Sequence, residues 1–341
     1  MTTTTTETLV KVEQLARNGN TRAAIDMITE ANRTAPDPAL ESALVQIRHD
    51  AWPEISGRPP PPLREPSPAV AFGPSDDGLP DVLAEDLDAD TIRAALDRAG
   101  ALIVRGLISP EWCARLRDAI DSSWDAIARY RRTNELDQAW FNPIDTSAYG
   151  LTMAARQWGI MGGTSFVPDS PRLFFALLEA FDEARVRQVA ADFFGEPPAL
   201  SLLKIAHRRL PPTATGGWHQ DAAVYGAAAR TLNFWVPVSR CGDVAPGLDI
   251  WPRRLDHIVK TTGTEGVAEF TAEPETVAAL LRETPPVRPV FDEGDALVFD
   301  QWLLHQTASS SQYTERRYGF ECWLFAPSTF PDPKRFIPLA Y

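Results

Sequence analysis

At 341 residues, with 44% hydrophobic and 23% charged residues, the chain has the composition of a soluble globular protein, long enough for one large domain plus an appendage. A formal net charge of −13 excludes nucleic acid as the main partner, since phosphate backbones need a basic surface, but leaves room for a small anion held by one or two arginines. No apolar run approaches the roughly 18–20 residues of a membrane span, and the start, "MTTTTTETLV", lacks the features of a signal peptide, so a cytoplasmic protein without membrane contact is expected.

Taken in chain order, Thr6 to Ala51 reads as helical. Leu9, Val12 and Leu15 recur at helical spacing, "NGN" (Asn18–Asn20) breaks the run, and "TRAAIDMITEANRT" resumes it. After "APDP", the run "ALESALVQIRHDA" places Ala39, Ala43 and Ile47 on one face. Residues 1–52 are therefore expected to form a small helical appendage, at best a tetratricopeptide-like hairpin, too short for an array. It would pack on the main domain, pair two subunits or dock a carrier protein. Residues 53–80 are so rich in proline that an extended linker is expected, a spacer rather than a proline-recognition ligand.

The main domain, 81–341, opens with an amphipathic helix closed by glycine, "DADTIRAALDRAG", then a buried strand, "ALIVRGL". "SPEWCARLRDAIDSSWDAI" follows as a helix with Ser109 as N-cap and Pro110 in its first turn. The irregular, aromatic-rich stretch Trp140–Phe166 is either a surface loop or a lid, with Arg156 as a candidate substrate anchor. Beyond about Pro198 come short apolar or alternating runs: "ALSLLKIA", "TLNFWVPV", "GLDIW", "VRPVF", "DALVFD" and "YGFECWLFA". Helices early and short strands late predict an α+β chain, an antiparallel sandwich or barrel with helices on one side. The three cysteines, Cys113, Cys241 and Cys322, form no CxxC pair and read as buried small apolar residues.

The usual dinucleotide, nucleotide-phosphate, zinc-protease and hydrolase signatures are absent. "GGWHQDAAVYG" (Gly216–Gly226) is more informative. Residues two apart on an extended backbone point to the same side, so His219 and Asp221 can present an imidazole and a carboxylate toward one point. A third neutral imidazole would complete the facial triad of non-heme Fe(II) oxygenases. Of the other four histidines, His49 lies in the appendage, and His207 and His257 sit among basic residues. His305, after the strand "DALVFD", has the best context. Eleven residues on, Arg316 heads the strand "RYGFECWLFA". Counting by twos from it gives the apolar row Tyr318, Phe320, Cys322 and Leu324, which suggests that Arg316, rather than Arg317, points into a barrel. A buried guanidinium there would need an anion such as a carboxylate.

"HQD", the distal histidine, the arginine eleven residues beyond it and "EGDALVFDQWLLH" together resemble the phytanoyl-CoA dioxygenase family of Fe(II)/2-oxoglutarate oxygenases, over roughly Asp81 to Pro327. The resemblance implies a double-stranded β-helix core (jelly-roll, cupin-like) with flanking helices. It implies that His219, Asp221 and His305 hold Fe(II) and that Arg316 grips the far carboxylate of 2-oxoglutarate. By position, Gln220, Asn233, Trp235 and Thr307 would also surround the cosubstrate, although strict strand alternation turns Gln220 away from the metal. It further implies hydroxylation of a C–H bond of a small-molecule substrate by O2, with release of succinate and CO2. Because the carboxylate Asp221 is present, hydroxylation, or a related desaturation or ring closure, is expected rather than halogenation. The chain departs from many members in having "APGLDIWPRRLDH" where they carry a "PGSH"-like turn, so the substrate does not follow from the resemblance. Two other readings remain open: a jelly-roll metalloenzyme without 2-oxoglutarate, and a non-catalytic scaffold acting through the appendage.

Overall fold

A computed structural model describes residues 3–62, 70, 72, 78–153, 156, 160, 162–263 and 270–341. Much of the expected linker, and part of the lid segment, lie outside the described residues.

The N-terminal helices are α1 (Thr3–Arg17), α2 (Thr21–Thr34), α3 (Pro38–Asp50) and the single turn α4 (Trp52–Ile55). Asp37 caps α3 by accepting from the Ala39 amide at 2.9 Å, and Pro38 occupies the first turn, where a missing N–H costs nothing. Val12, Ile25, Ile28, Leu40, Leu44 and Ile47 form the core of this unit. The buried face of α3 thus centres on Leu40 and Leu44, not on Ala39 and Ala43 as the spacing suggested. The bulkier side chains bury more apolar surface and win the rotation.

These helices are fastened to the rest of the chain by polar contacts as well as by Phe175, which packs on their core. Arg33 donates to both carboxylate oxygens of Glu179 at 2.6 and 2.8 Å. Arg172 donates to Glu41 at 3.0 Å, Arg48 to the Ala340 carbonyl at 2.9 Å, and His49 shares a bond of 2.7 Å with the Tyr149 hydroxyl.

Local signals account for the next elements. Asp88 caps α5 (Ala89–Ala99) by accepting from the Thr91 amide at 2.7 Å, and Gly100, with φ +78°, ends it in the left-handed conformation. Ser109 caps the long helix α6 (Pro110–Thr133). The large sheet runs β1 (Asp81–Leu83), β2 (Ala101–Arg105), β7 (Ala296–Phe299), β5 (Thr231–Pro237), β9 (Arg317–Phe325), β4 (Ala199–Leu210), β10 (Pro338–Ala340), with β3 (Thr164–Phe166) also pairing β4. Among the described residues, only the β1–β2 pair of this sheet is parallel. A second sheet joins β6 (Leu248–Ile250) to β8 (His305–Thr307) in antiparallel register, Ile250 opposite His305. "VRPVF" forms no strand; Val287 and Phe291 make isolated bridges to Ile250 and Cys241, because Pro289 between them has no N–H to continue a ladder. All three cysteines are buried and free. Among the described residues, no helix is long and apolar enough to cross a membrane.

Strand β9 is buried on both faces, and its two rows do different work. Phe320, Cys322 and Leu324 belong to the hydrophobic core, and Tyr318 on the same row reaches α6, its hydroxyl donating to Asp121 at 3.1 Å. The alternate row, Arg317, Gly319, Glu321 and Trp323, lies on the opposite face. Arg316 is exposed and Arg317 is 2% exposed, so the orientation expected for this pair is reversed. The apolar row faces the helices, and of the mixed row Glu321 and Trp323 line a cavity.

The Glu41–Arg172 contact yields a stability prediction. Burial raises the Glu41 carboxyl above its usual 4.5, and Arg172 only partly offsets this. Arg172→Ala strands a buried carboxylate, at a cost of about 2 kcal/mol near pH 7. With its pKa raised further, the native state holds a proton that the unfolded state releases, so stability falls as pH rises. Thermal melts of wild type and variant should therefore differ more at pH 7.5 than at pH 5; a gap that widens on acidification contradicts this account.

Candidate metal centre

The histidine of "WHQD" is placed by backbone pairing. The His219 amide donates to the His305 carbonyl at 2.9 Å and the His305 amide to the His219 carbonyl at 3.1 Å, an isolated antiparallel bridge beside β8. Asp221 then leaves the extended conformation (φ −69°, ψ −17°) and starts the one-turn helix Ala222–Tyr225. Its backbone groups anchor that turn, the carbonyl accepting from Val224 at 2.8 Å and Tyr225 at 2.9 Å.

One donor atom each from His219, Asp221 and His305 lies within 4.8 Å of the others. The imidazole centroids are 4.3 Å apart, and His305 Nε2 is 3.9 Å from Asp221 Oδ2. Each ring has its Nδ1 against a nearby carbonyl: His219 on Gly217 at 2.9 Å, His305 on Leu303 at 3.1 Å. Those contacts favour Nδ1–H and leave both Nε2 lone pairs for a metal. Burial, then the neighbouring His219, pushes His305 down to about 3, so its imidazole stays neutral. Burial raises the Asp221 carboxyl, with His219 and Lys204 acting against it. Two imidazole nitrogens and one carboxylate oxygen, converging from a half-buried His219 and buried Asp221 and His305, fit a divalent ion of Fe(II) type.

Two cavities meet at this triad and share His219, His305, Phe270, Arg208 and Glu321. One, of about 460 Å³, runs past Thr307, Leu248 and Gly216; the other, of about 360 Å³, runs past Asp221, Lys204, Asn233 and Trp323. Arg208 on β4 donates to Glu321 on β9 at 2.5 Å. Against the burial that would raise it, this pairing holds the Glu321 carboxyl down at about 2.

Of the residues expected around a cosubstrate, Asn233 and Thr307 line the cavities. Asn233 is also fixed, accepting from the Cys322 amide at 3.1 Å. Trp235 does not line them; it lies under the Arg317 guanidinium, 5.0 Å from carbon to ring centroid, and packs on Phe291. Gln220 is turned away, its amide bonded to backbone at His257, Trp302 and Val259. This follows from its place between two inward-facing residues. Arg316 is at the surface, whereas Arg317 donates to the carbonyls of Pro246 and Gly247 at 2.9 and 3.1 Å. Arg156 is no free anchor, being buried with Asp169 at 2.7 Å. His207 is turned to Ser123 of α6, and His257 pairs with exposed Asp256.

Sequence reasoning missed Lys204, Arg208, Glu321 and Phe270. Alternation in "KIAHRRL" was the available signal, since Lys204, Ala206 and Arg208 share one face of β4 and all three line the cavity.

The family model for phytanoyl-CoA dioxygenase (PhyH) matches residues 96–317. Among solved structures, EctD from S. alaskensis in its apo form is similar with a TM-score of 0.54 at 17% identity, over 81% of this chain and 88% of that one. EctD from S. alaskensis with 2-oxoglutarate and 5-hydroxyectoine is similar with a TM-score of 0.51 at 17% identity, over 80% and 83%. At that identity the likeness speaks for the fold, a mixed α/β architecture with a many-stranded sheet and flanking helices. No curated protein matches the chain significantly. Members of the matched family use Fe(II), 2-oxoglutarate and O2, which the converging donors suit. With the family model spanning both histidines, the aspartate and the buried arginine, the chain belongs to the phytanoyl-CoA dioxygenase family of non-heme Fe(II)/2-oxoglutarate oxygenases.

Proposed function

We propose that the protein hydroxylates an unactivated C–H bond of a small-molecule metabolite, releasing succinate and CO2. The observation that carries this reading is the Asp221 carboxylate converging with the two imidazoles. A hydroxylase keeps a carboxylate at this position, whereas a halogenase needs it vacated for halide.

In this reading His219, Asp221 and His305 would hold the iron through two imidazole nitrogens and one carboxylate oxygen. The bound metal and 2-oxoglutarate supply the oxidising chemistry; the chain binds, orients and excludes water. Arg317 takes the role expected of Arg316, gripping the distal carboxylate, with Trp235 as the platform beneath its guanidinium. The Thr307 hydroxyl is placed to donate to the same molecule, and Asn233 presents its amide to the metal chamber. Gln220 acts from outside by tying 257–259 to the metal loop. Phe270 and Phe299, 5.3 and 5.0 Å from the two imidazole centroids, form apolar walls that keep the site dry. The two sheets form a double-stranded β-helix, with β6–β8 as part of the lesser wall. Residues 1–52 are a packing unit, 53–80 a linker and 81–341 the cytoplasmic oxygenase.

Anaerobically iron-loaded protein should consume O2 and form succinate only when 2-oxoglutarate is present, and Asp221→Ala should reduce both by about a hundredfold or more. Succinate-free turnover would overturn the reading in favour of a metalloenzyme that needs no cosubstrate. Metabolite profiling with active protein should show a product heavier by one oxygen; a chlorinated product overturns the hydroxylase assignment.

The two arginines make a sharper prediction. Arg317→Met should raise KM for 2-oxoglutarate about tenfold or more, while Arg316→Met should stay within about twofold of wild type. Steady-state kinetics in 2-oxoglutarate checks this, and the opposite ranking contradicts it.

A further inference from the structure

The geometry points to an anionic group, carboxylate or phosphate, on an otherwise apolar substrate, bound by Lys204 and Arg335 in the chamber on the Asp221 side of the triad. The inference rests on the oxygenase reading above, because it assigns the other chamber, lined by Thr307, to 2-oxoglutarate.

The charges in this chamber leave two cations over. Of the five Asp, Glu, Lys and Arg side chains lining it, Asp221 belongs to the metal, and Arg208 and Glu321 neutralise each other. Lys204 and Arg335 remain, and neither forms an ion pair among the described residues. Aromatic rings hold them instead. Lys204 Nζ lies 5.0 Å from the Tyr225 centroid and 5.9 Å from that of Phe336, and the Arg335 guanidinium lies 5.2 Å from the Phe336 centroid. A ring face where water still reaches the cation holds it less strongly than a bonded anion does. Burial lowers the Lys204 pKa, with Asp221 and Glu321 opposing it from beyond ion-pair distance. Phe166, Leu203, Val224 and Trp323 supply the apolar part of the wall, beside the polar side chains of Thr164 and Asn233. An apolar body with one negative end matches both parts, and a neutral or cationic molecule would leave Lys204 uncompensated.

Arg335 sits at the exposed rim and Lys204 is half-buried, so the anion lies toward the mouth and the apolar body toward the triad. Carboxylate and phosphate share the chemistry required here, and the experiment separates them.

The test uses the Fe(II)-loaded protein under anaerobic conditions, with three probes: 4-phenylbutyrate, phenethyl phosphate and the neutral 4-phenylbutyramide. Calorimetric titration of 2-oxoglutarate comes first. No binding of 2-oxoglutarate by the wild type sinks the oxygenase reading and this inference with it. With 2-oxoglutarate bound, at least one anionic probe should bind about tenfold or more tighter than the amide, and the better anion identifies the headgroup. In Lys204→Met and Arg335→Gln that preference should fall to about twofold or less, with 2-oxoglutarate affinity unchanged. Lys204→Arg, which keeps the charge, should retain the preference, and circular dichroism verifies that each variant is folded. Two results overturn the inference while sparing the oxygenase: wild type without anion preference, or Lys204→Met losing 2-oxoglutarate affinity instead.

Discussion

Two backbone hydrogen bonds between His219 and His305 hold the metal centre together. They join a loop in the middle of the chain to a strand near its end, and in doing so bring the two imidazoles to 4.3 Å. Everything else at the site is arranged around that bridge. The turn that begins at Asp221 follows two residues later, and its carboxylate swings toward the same point because the backbone leaves the extended conformation there. Ile250 on β6 pairs with His305 from the other side, so one residue carries a metal ligand and closes a sheet.

The large sheet solves a different problem, that of being buried on both faces with unlike neighbours. Its outer face packs on helices and is apolar; its inner face lines the cavities at the triad and is mixed. On β9 the two demands alternate residue by residue, Cys322 and Leu324 in the core, Glu321 and Trp323 in the cavity. Three charges of the polar inner face are partnered: Arg208 with Glu321, and Arg317 with two carbonyls and the Trp235 ring. An unpaired charge at either place would carry the full cost of desolvation.

The N-terminal helices are not loosely tethered. Arg33, Glu41, Arg48 and His49 each reach across to residues at least a hundred positions away in sequence, and Arg48 and His49 both hold the C-terminal strand β10. Strand β10 in turn pairs with β4, which lines the metal chamber. The helical unit therefore stabilises the edge of the sheet that carries Lys204 and Arg208.

By itself the sequence determined the elements whose signals are local: the cap at Ser109, the glycine that ends α5, and the apolar runs that became β2, β4, β5, β7 and β9. It also made the candidate metal-binding histidines legible, because an HxD pair and a distal histidine are defined by residue type and spacing. What it could not determine was which way a side chain points when both faces of a strand are buried. Arg316 and Arg317 differ by one position, and the choice between them depends on whether helices or ions lie on a given side. The same holds for Lys204, Arg208 and Glu321, which look like surface charges until β4 and β9 pair. Hydrophobic periodicity reports burial; only the packed structure says what each face is buried against.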